Sequence, residues 1–148
     1  MRDACSLSDE ILYHVITVQK ELAQLFDTEM DGLSSTRFDI LSNLHHVGPL
    51  RQRELQQRVG VDHAAITRHL KQLETQGLIT RERCLQDNRV IFVDLTDDGR
   101  ERIAHWTEQK KCLSDRLFVN MKVEDQQQLL ELLNTLQTNI QHERKILI

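Results

Sequence analysis

Residues 54–77, ELQQRVGVDHAAITRHLKQLETQG, contain two short helical segments separated by a glycine. Apolar residues recur at helical spacing on both sides of Gly60, and Asp62 is placed to cap the free amides of the second segment. Gly60 can adopt the positive φ at which one helix turns steeply into the next, and Gly77 suits the left-handed position after a last helical turn. The pattern predicts a helix-turn-helix.

The second of these helices, from about Asp62 to Gln76, divides into two faces. One face is apolar and is predicted to pack on a core: Ala65, Ile66, His69, Leu70 and Leu73. The other face is short at its start and cationic toward its end: His63, Ala64, Thr67, Arg68 and Lys71. Such a face fits a DNA major groove, where an arginine can reach guanine or phosphate and a lysine can neutralise phosphate. A solvated helix face is the alternative for this helix taken alone.

Residues 78–95, LITRERCLQDNRVIFVDL, change from a helical to a two-residue period. A polar turn, Gln86-Asp87-Asn88, separates two β-prone runs, so a hairpin is predicted, as the only convincing β structure in the chain. It carries three arginines: Arg81, Arg83 and Arg89. Helix, tight turn, helix and hairpin in this order predict a winged helix-turn-helix over residues 34–95, with the hairpin as its wing.

Long amphipathic helices flank this winged part, at 7–30 and 97–146, with Ser34 and Thr96 as helix caps at its edges. The predicted fold is mostly α with a small β hairpin, in the order α-α-α-α-β-β-α-α, and residues 1–148 form a single domain. Leucines on the terminal helices would be exposed in a monomer, so these are predicted to be dimerisation helices.

Composition and charge limit the classes of protein to which this chain can belong. The 148 residues are 39% hydrophobic and 28% charged, a soluble globular balance, and the polar N-terminus and short apolar runs predict a cytoplasmic protein without a signal peptide or membrane contact. The net charge of −4 combines +3 between Arg51 and Arg89 with −7 elsewhere. A basic middle with acidic ends is typical of a chain in which one region faces phosphate. The chain has no nucleophile elbow, glycine-rich phosphate loop or adjacent acid pair, so neither an enzyme nor a cofactor is predicted.

Several short motifs resemble the MarR family of bacterial transcription regulators. They are residues 33–41, LSSTRFDIL; Glu54-Leu55 with residues 59–62, VGVD; residues 66–81 around ITR, LE and GLI; Asp87-Asn88-Arg89; and residues 95–99, LTDDG. Their order and spacing carry the resemblance, which covers nearly the whole chain. It implies a homodimer on a pseudo-palindromic operator in double-stranded DNA, with Arg89 of the wing in the minor groove and Asp87 positioning it. An ordinary turn residue is the alternative for Asp87. Gln56, His69 and Cys84-Leu85 depart from the family pattern.

The resemblance also implies an effector pocket between the winged part and the dimer helices, suited to an aromatic or lipophilic ligand. The candidate residues are Phe38, Leu41, His45, His105, Trp106 and Phe118, for which packing in a hydrophobic core is the favoured alternative. Oxidation is a second candidate signal, because cationic neighbours of Cys84 would favour its thiolate. Cys5 and Cys112 are the other two cysteines. No paired-cysteine or HxxxH spacing supports a metal site.

The leading prediction is a homodimeric, sequence-specific DNA-binding repressor that a small ligand or an oxidant releases. A winged-helix module that binds proteins without specific DNA binding, and a metal-responsive regulator, are the alternatives.

Overall fold

The computed structural model describes residues 6–146. Within them, helices and strands follow in the order α1 (Leu7–Glu29), α2 (Ser35–Val47), β1 (Leu50–Arg51), α3 (Gln52–Val59), α4 (His63–Thr75), β2 (Ile79–Arg83), β3 (Ile91–Leu95), α5 (Asp97–Leu117) and α6 (Val123–Ile146). They form two compact units, one up to Lys110 and one from Lys111 onward. The first unit contains the helix-turn-helix and all three strands. No helix in the described range is long and apolar enough to cross a membrane.

Two helices, α2 and α4, begin at capping side chains that the sequence predicts. Ser34 Oγ accepts the amide of Arg37 at 3.2 Å, and Asp62 Oδ1 accepts the amide of Ala65 at 2.7 Å. These bonds satisfy amides that have no partner within the helix. Gly60, between α3 and α4, has a φ of 76°, and Gly77, after α4, has a φ of 75°. The predicted helix-turn-helix is therefore confirmed.

The sheet has three antiparallel strands in the order β1-β3-β2. Ile79 of β2 pairs with Leu95 of β3 and Arg83 pairs with Ile91, which confirms the predicted hairpin. The prediction that this hairpin is the only β structure is wrong, because β1 adds a third strand through the pairing of Leu50 with Val93. Two residues are too few to show a period, so β1 is defined by its distant partner rather than by local sequence.

The core of the first unit lies between α2, α3, α4, the sheet and the start of α5. Its fully buried side chains are Met30, Ile40, Leu41, Leu44, Leu55, Ile66, Leu70, Leu73, Ile79, Val93 and Ile103. Three of these belong to α4, so the predicted inner face of this helix is confirmed. The core thereby fixes which side of α4 faces outward.

A close approach at Gly99 joins the start of α5 to the chain that leaves α4. A Cβ at this position would collide with the carbonyl oxygen of Leu78 and lie 3.2 Å from Leu95 Cδ2. Thr96 reinforces the contact, since its Oγ1 donates to the Gly77 carbonyl at 2.6 Å and accepts the Gly99 amide at 3.0 Å. The wing is thus attached at its base to the end of α4.

Candidate DNA-binding surface

The outward face of α4 presents the side chains that the sequence singles out. His63, Ala64, Arg68 and Lys71 are exposed, and Thr67 is half-buried. The Thr67 hydroxyl donates to the carbonyl of His63 at 2.8 Å, so its methyl group is the part that remains for apolar contact. The exposed face of α4 is short at its start and cationic toward its end, as the sequence predicts.

At the tip of the wing, Asp87 holds Arg89. Asp87 Oδ1 accepts the backbone amide of Arg89 at 3.0 Å and its Nε at 3.1 Å, while Oδ2 accepts from Nη2 at 3.3 Å. These bonds hold the pKa of the Asp87 carboxyl below its usual value. The Arg89 side chain is still 91% exposed. The pair therefore presents an oriented guanidinium to solvent.

The other two wing arginines have partners within the protein. Arg83 Nη1 donates to the carbonyl of Asn88 at 2.9 Å and so braces the turn from the opposite strand. Arg81 donates to both carboxylate oxygens of Glu74, with distances of 3.1 and 3.3 Å, and its side chain is only 21% exposed. The hydrogen bond from Arg81 lowers the pKa of Glu74. This ion pair links the last turn of α4 to β2.

Sequence reasoning missed Glu74, since it counted Arg81 as a free cation of the wing. The two residues lie seven apart, on different elements, and no helix or strand period relates them. Only the fold of the chain at Gly77 brings them together. The one available signal was the pairing of an acid with a base on either side of a predicted turn.

The candidate redox cysteines lie at separate places. Cys84 is half-buried in the wing, and its amide donates to the carbonyl of Val90 at 2.8 Å. The guanidinium groups of Arg83 and Arg89 bond to Asn88 and Asp87 rather than to its thiol. Cys112 is exposed on α5, and Cys5 lies outside the described residues. Among residues 6–146, no group of three or more His, Cys, Asp or Glu side chains could hold a metal ion.

Five of the six candidate effector residues belong to the first unit, and they differ in burial. Phe38, Leu41 and Trp106 are buried in the core of the first unit, while His45 and His105 are exposed. Phe118 belongs to the second unit and is partly exposed. The first unit does have a cleft of about 300 Å³, which includes Trp106 but none of the other five. Whether an effector contacts these residues stays a prediction.

Comparisons with known proteins agree with this geometry. The MarR family model matches residues 33–91, from the end of the α1–α2 turn to the first residue of β3. The uncharacterized HTH-type transcriptional regulator YdgJ of Bacillus subtilis (strain 168) is 38% identical over 136 residues, covering 92% of this chain and 82% of that protein. The chain belongs to the MarR family. As a MarR-family protein it is a DNA-binding transcriptional regulator and not an enzyme.

Solved MarR-type structures share the fold. A mutant of MarR from E. coli in complex with operator DNA is 22% identical, with a TM-score of 0.77, covering 89% of this chain and 99% of that chain. The PcaV regulator from Streptomyces coelicolor, in complex with its natural ligand, is 21% identical, with a TM-score of 0.79, covering 92% of this chain and 97% of that one. These likenesses confirm the mostly helical winged fold that the sequence predicts.

Proposed function

We propose that this MarR-family regulator is a homodimeric repressor that binds a pseudo-palindromic operator and is released by a small ligand or an oxidant. The observation that carries the proposal is the pairing of one outward cationic helix face with an arginine held at the tip of the wing. The DNA complex of the E. coli relative and the ligand complex of PcaV support operator DNA and a small ligand as the partners of this chain. A regulator of chromosomal genes would work in the cytoplasm.

The proposed contacts follow from the exposed groups. His63, Ala64, Thr67, Arg68 and Lys71 of α4 would enter the major groove, and Arg89 would enter the minor groove, where a narrow A·T-rich stretch concentrates negative potential. Asp87 would orient Arg89, and Arg83 would brace the turn and face phosphate. Because Arg81 is bound to Glu74, we propose that it supports the wing from within, with at most a peripheral contact to DNA.

The experiment first selects the operator from a random DNA pool and then measures its affinity for variants across a salt series. Arg89→Ala should weaken binding and lower the slope of log affinity against log salt by about 1 if it contacts phosphate charge. Arg68→Ala should lose about 1–3 kcal/mol of discrimination at the base pair that it reads. Arg144→Ala, an exposed arginine on α6, is the matched control and should bind normally. Unchanged binding by Arg89→Ala would contradict the wing assignment.

The apolar faces of the terminal helices support the proposed dimer. Large hydrophobic side chains more than a third exposed lie on α1 (Leu7, Ile11, Leu12, Tyr13, Ile16, Val18, Leu22) and on α6 (Leu130, Leu132, Leu133, Ile140). Soluble monomers rarely leave apolar surface of that extent in water. Sedimentation should show a dimer, Leu133→Lys should weaken it, and Asn139→Lys, a polar position on α6, should leave it intact. A monomeric wild type at micromolar concentration would contradict the proposal.

The signal that releases the repressor is proposed in two forms. A small ligand could bind near Trp106 and the start of α2, whereas oxidation would act on Cys84, which lies in the wing itself. Operator binding measured with hydrogen peroxide separates the two, because Cys84→Ser abolishes only an oxidative response. If hydrogen peroxide still releases Cys84→Ser from the operator, the oxidised residue is Cys5 or Cys112.

A further inference from the structure

A fully exposed leucine lies at the tip of the wing. Leu85 is the most exposed large hydrophobic side chain within residues 6–146, with an exposed fraction of 102%. Single exposed leucines are common on protein surfaces, so the position of Leu85, and not its exposure alone, bears on function. The apolar faces of α1 and α6 that support the proposed dimer do not include it, because Leu85 belongs to neither helix. Residues 84 and 85 are also among the departures from the family pattern.

Hydrogen bonds hold the turn that carries Leu85. The Cys84 amide donates to the Val90 carbonyl at 2.8 Å, and the Val90 amide donates to the Asp87 carbonyl at 3.0 Å. The Asp87 carboxylate in turn binds the backbone amide and the guanidinium of Arg89. These bonds fix the backbone on both sides of Leu85, so its side chain is presented at a defined place in the turn.

Leu85 and Arg89 are exposed together on one short turn. The Arg89 side chain is 91% exposed even while it is paired with Asp87, and no side chain within residues 6–146 covers Leu85. A surface that covers Arg89 would therefore also lie against Leu85. The DNA minor groove offers such a surface, because its potential is negative while its walls are deoxyribose rings with apolar C–H groups. Proteins that enter this groove frequently place apolar side chains there beside cations.

We propose that Leu85 packs against the deoxyribose wall of the minor groove that Arg89 enters, and that this apolar contact adds to operator affinity. Packing on the sugars suits the turn better than insertion between base pairs, because insertion unstacks and kinks the duplex, whereas Arg89 is drawn to a narrow, intact groove. The inference rests on the proposed function, and it adds to the DNA surface a residue that sequence reasoning left outside it.

Salt dependence separates this contact from those of the arginines. A cation that neutralises a phosphate releases counterions, so its removal lowers the slope of log affinity against log salt. The Leu85 side chain carries no charge and releases no counterion. Replacing it should therefore weaken operator binding by the same factor at every salt concentration, whereas Arg89→Ala should also lower the slope by about 1.

The test compares variants of the full chain on the selected operator across one salt series. Leu85→Ala should weaken binding about fivefold for each wing on the DNA, the effect of covering part of a leucine side chain, with an unchanged salt slope. Leu85→Met keeps an apolar side chain of similar volume and should bind within about twofold of the wild type. Leu85→Asn has a similar shape but a polar end, and should bind no better than Leu85→Ala. Val47→Ala, which shortens an exposed apolar side chain at the end of α2, is the matched control and should bind normally.

A ribonucleotide scan of the operator locates the contact. Replacing one deoxyribonucleotide at a time by its ribonucleotide adds a hydroxyl group to a sugar in the minor groove. At the sugars that Leu85 covers, this hydroxyl should lower the affinity of the wild type but should change that of Leu85→Ala much less, because the smaller side chain no longer meets it. Equal losses in both proteins at every position would overturn the sugar contact. A DNA bend that the wild type induces and Leu85→Ala does not would show insertion between base pairs, and would overturn it as well.

Two further outcomes would overturn the role of Leu85. One is a Leu85→Ala or Leu85→Asn variant that binds as the wild type does, and the other is a loss of affinity that comes with a lower salt slope. Because no side chain covers Leu85, variants at this position should melt as the wild type does, which separates a change in affinity from a change in folding. A wild type that selects no DNA sequence would instead refute the proposed function. Normal dependence on Arg68 and Arg89 with no effect of Leu85 would refute this contact alone.

Discussion

Replacing Gly99 by alanine tests the joint between the wing and α5. Gly99 lies in the first turn of α5 and is buried, and unlike the other four glycines it does not have a positive φ. Its backbone therefore permits alanine, and alanine is the better helix former by about 1 kcal/mol. On helix propensity alone, Gly99→Ala should stabilise the protein.

The close contacts at this position reverse the expected effect, so that Gly99→Ala should destabilise the protein. The added Cβ would collide with the Leu78 carbonyl oxygen, and it would lie 3.0 Å from the carbonyl carbon of Leu78. The same oxygen accepts the amide of Thr96 at 3.1 Å, so it cannot withdraw without loosening a hydrogen bond. Overpacking costs about 1–3 kcal/mol, and a backbone atom as the obstacle places this case toward the upper part of that range. We expect a net loss of about 2 kcal/mol, once the propensity gain is subtracted from the upper end.

Thermal unfolding at one fixed protein concentration measures the effect, because melting of an oligomer depends on concentration. A loss of about 2 kcal/mol corresponds to a melting temperature lower by about 4–8 °C for a chain of this size. Ala104→Gly, at an exposed site on α5, serves as the control for propensity and should cost no more than about 1 kcal/mol. A melting temperature for Gly99→Ala equal to or above that of the wild type would refute the close approach.

Three further predictions concern the charged groups. Asp87→Asn removes a negative charge from the wing that is proposed to contact DNA, yet operator affinity should fall because Arg89 loses the ion pair that orients it; tighter binding in the same titration would show that Asp87 only repels DNA. Glu74→Gln should cost at most about 1 kcal/mol in urea unfolding, since its ion pair with Arg81 is partly exposed, and a double-mutant cycle with Arg81→Gln should recover the coupling. Burial, with Arg68 and Arg37 nearby, lowers the pKa of His69 below 6.5, so stability should fall as the pH drops below 6.5 toward that lowered pKa. His69→Leu should flatten this pH profile, and an unchanged profile would assign the acid sensitivity to another group.

Most of this fold can be predicted from the sequence, because helix caps, turns and helix faces depend on residues that are neighbours along the chain. The caps at Ser34 and Asp62 and the turn at Gly60 each act within a few residues, and each appears where the sequence places it. The outward face of α4 follows equally from a single period. β1 could not be predicted in this way, because its two residues are a strand only through pairing with β3, more than forty positions later.

The candidate sites differ in the same way, since some depend on neighbouring residues and others on segments that are distant in sequence. Asp87 and Arg89 are two residues apart, and their contact is a local one that the family resemblance already implies. The ion pair of Glu74 with Arg81 and the cleft that includes Trp106 each join segments that lie far apart or on different elements. Side chains from residues 31–37, 76–78 and 102–106 meet there only after the chain has folded. No window of sequence contains that arrangement.

The short strand β1 has a mechanical consequence for the wing. β3 is the central strand, held by β2 on one side and by β1 on the other, and β1 leads directly into α3. The wing is thus not a free arm that swings about its own base. Any tilt that carries Arg89 across a groove must either drag the first helix of the helix-turn-helix with it or break the ladder between Leu50 and Val93. The groove contacts proposed for the wing and for α4 should therefore form and break together.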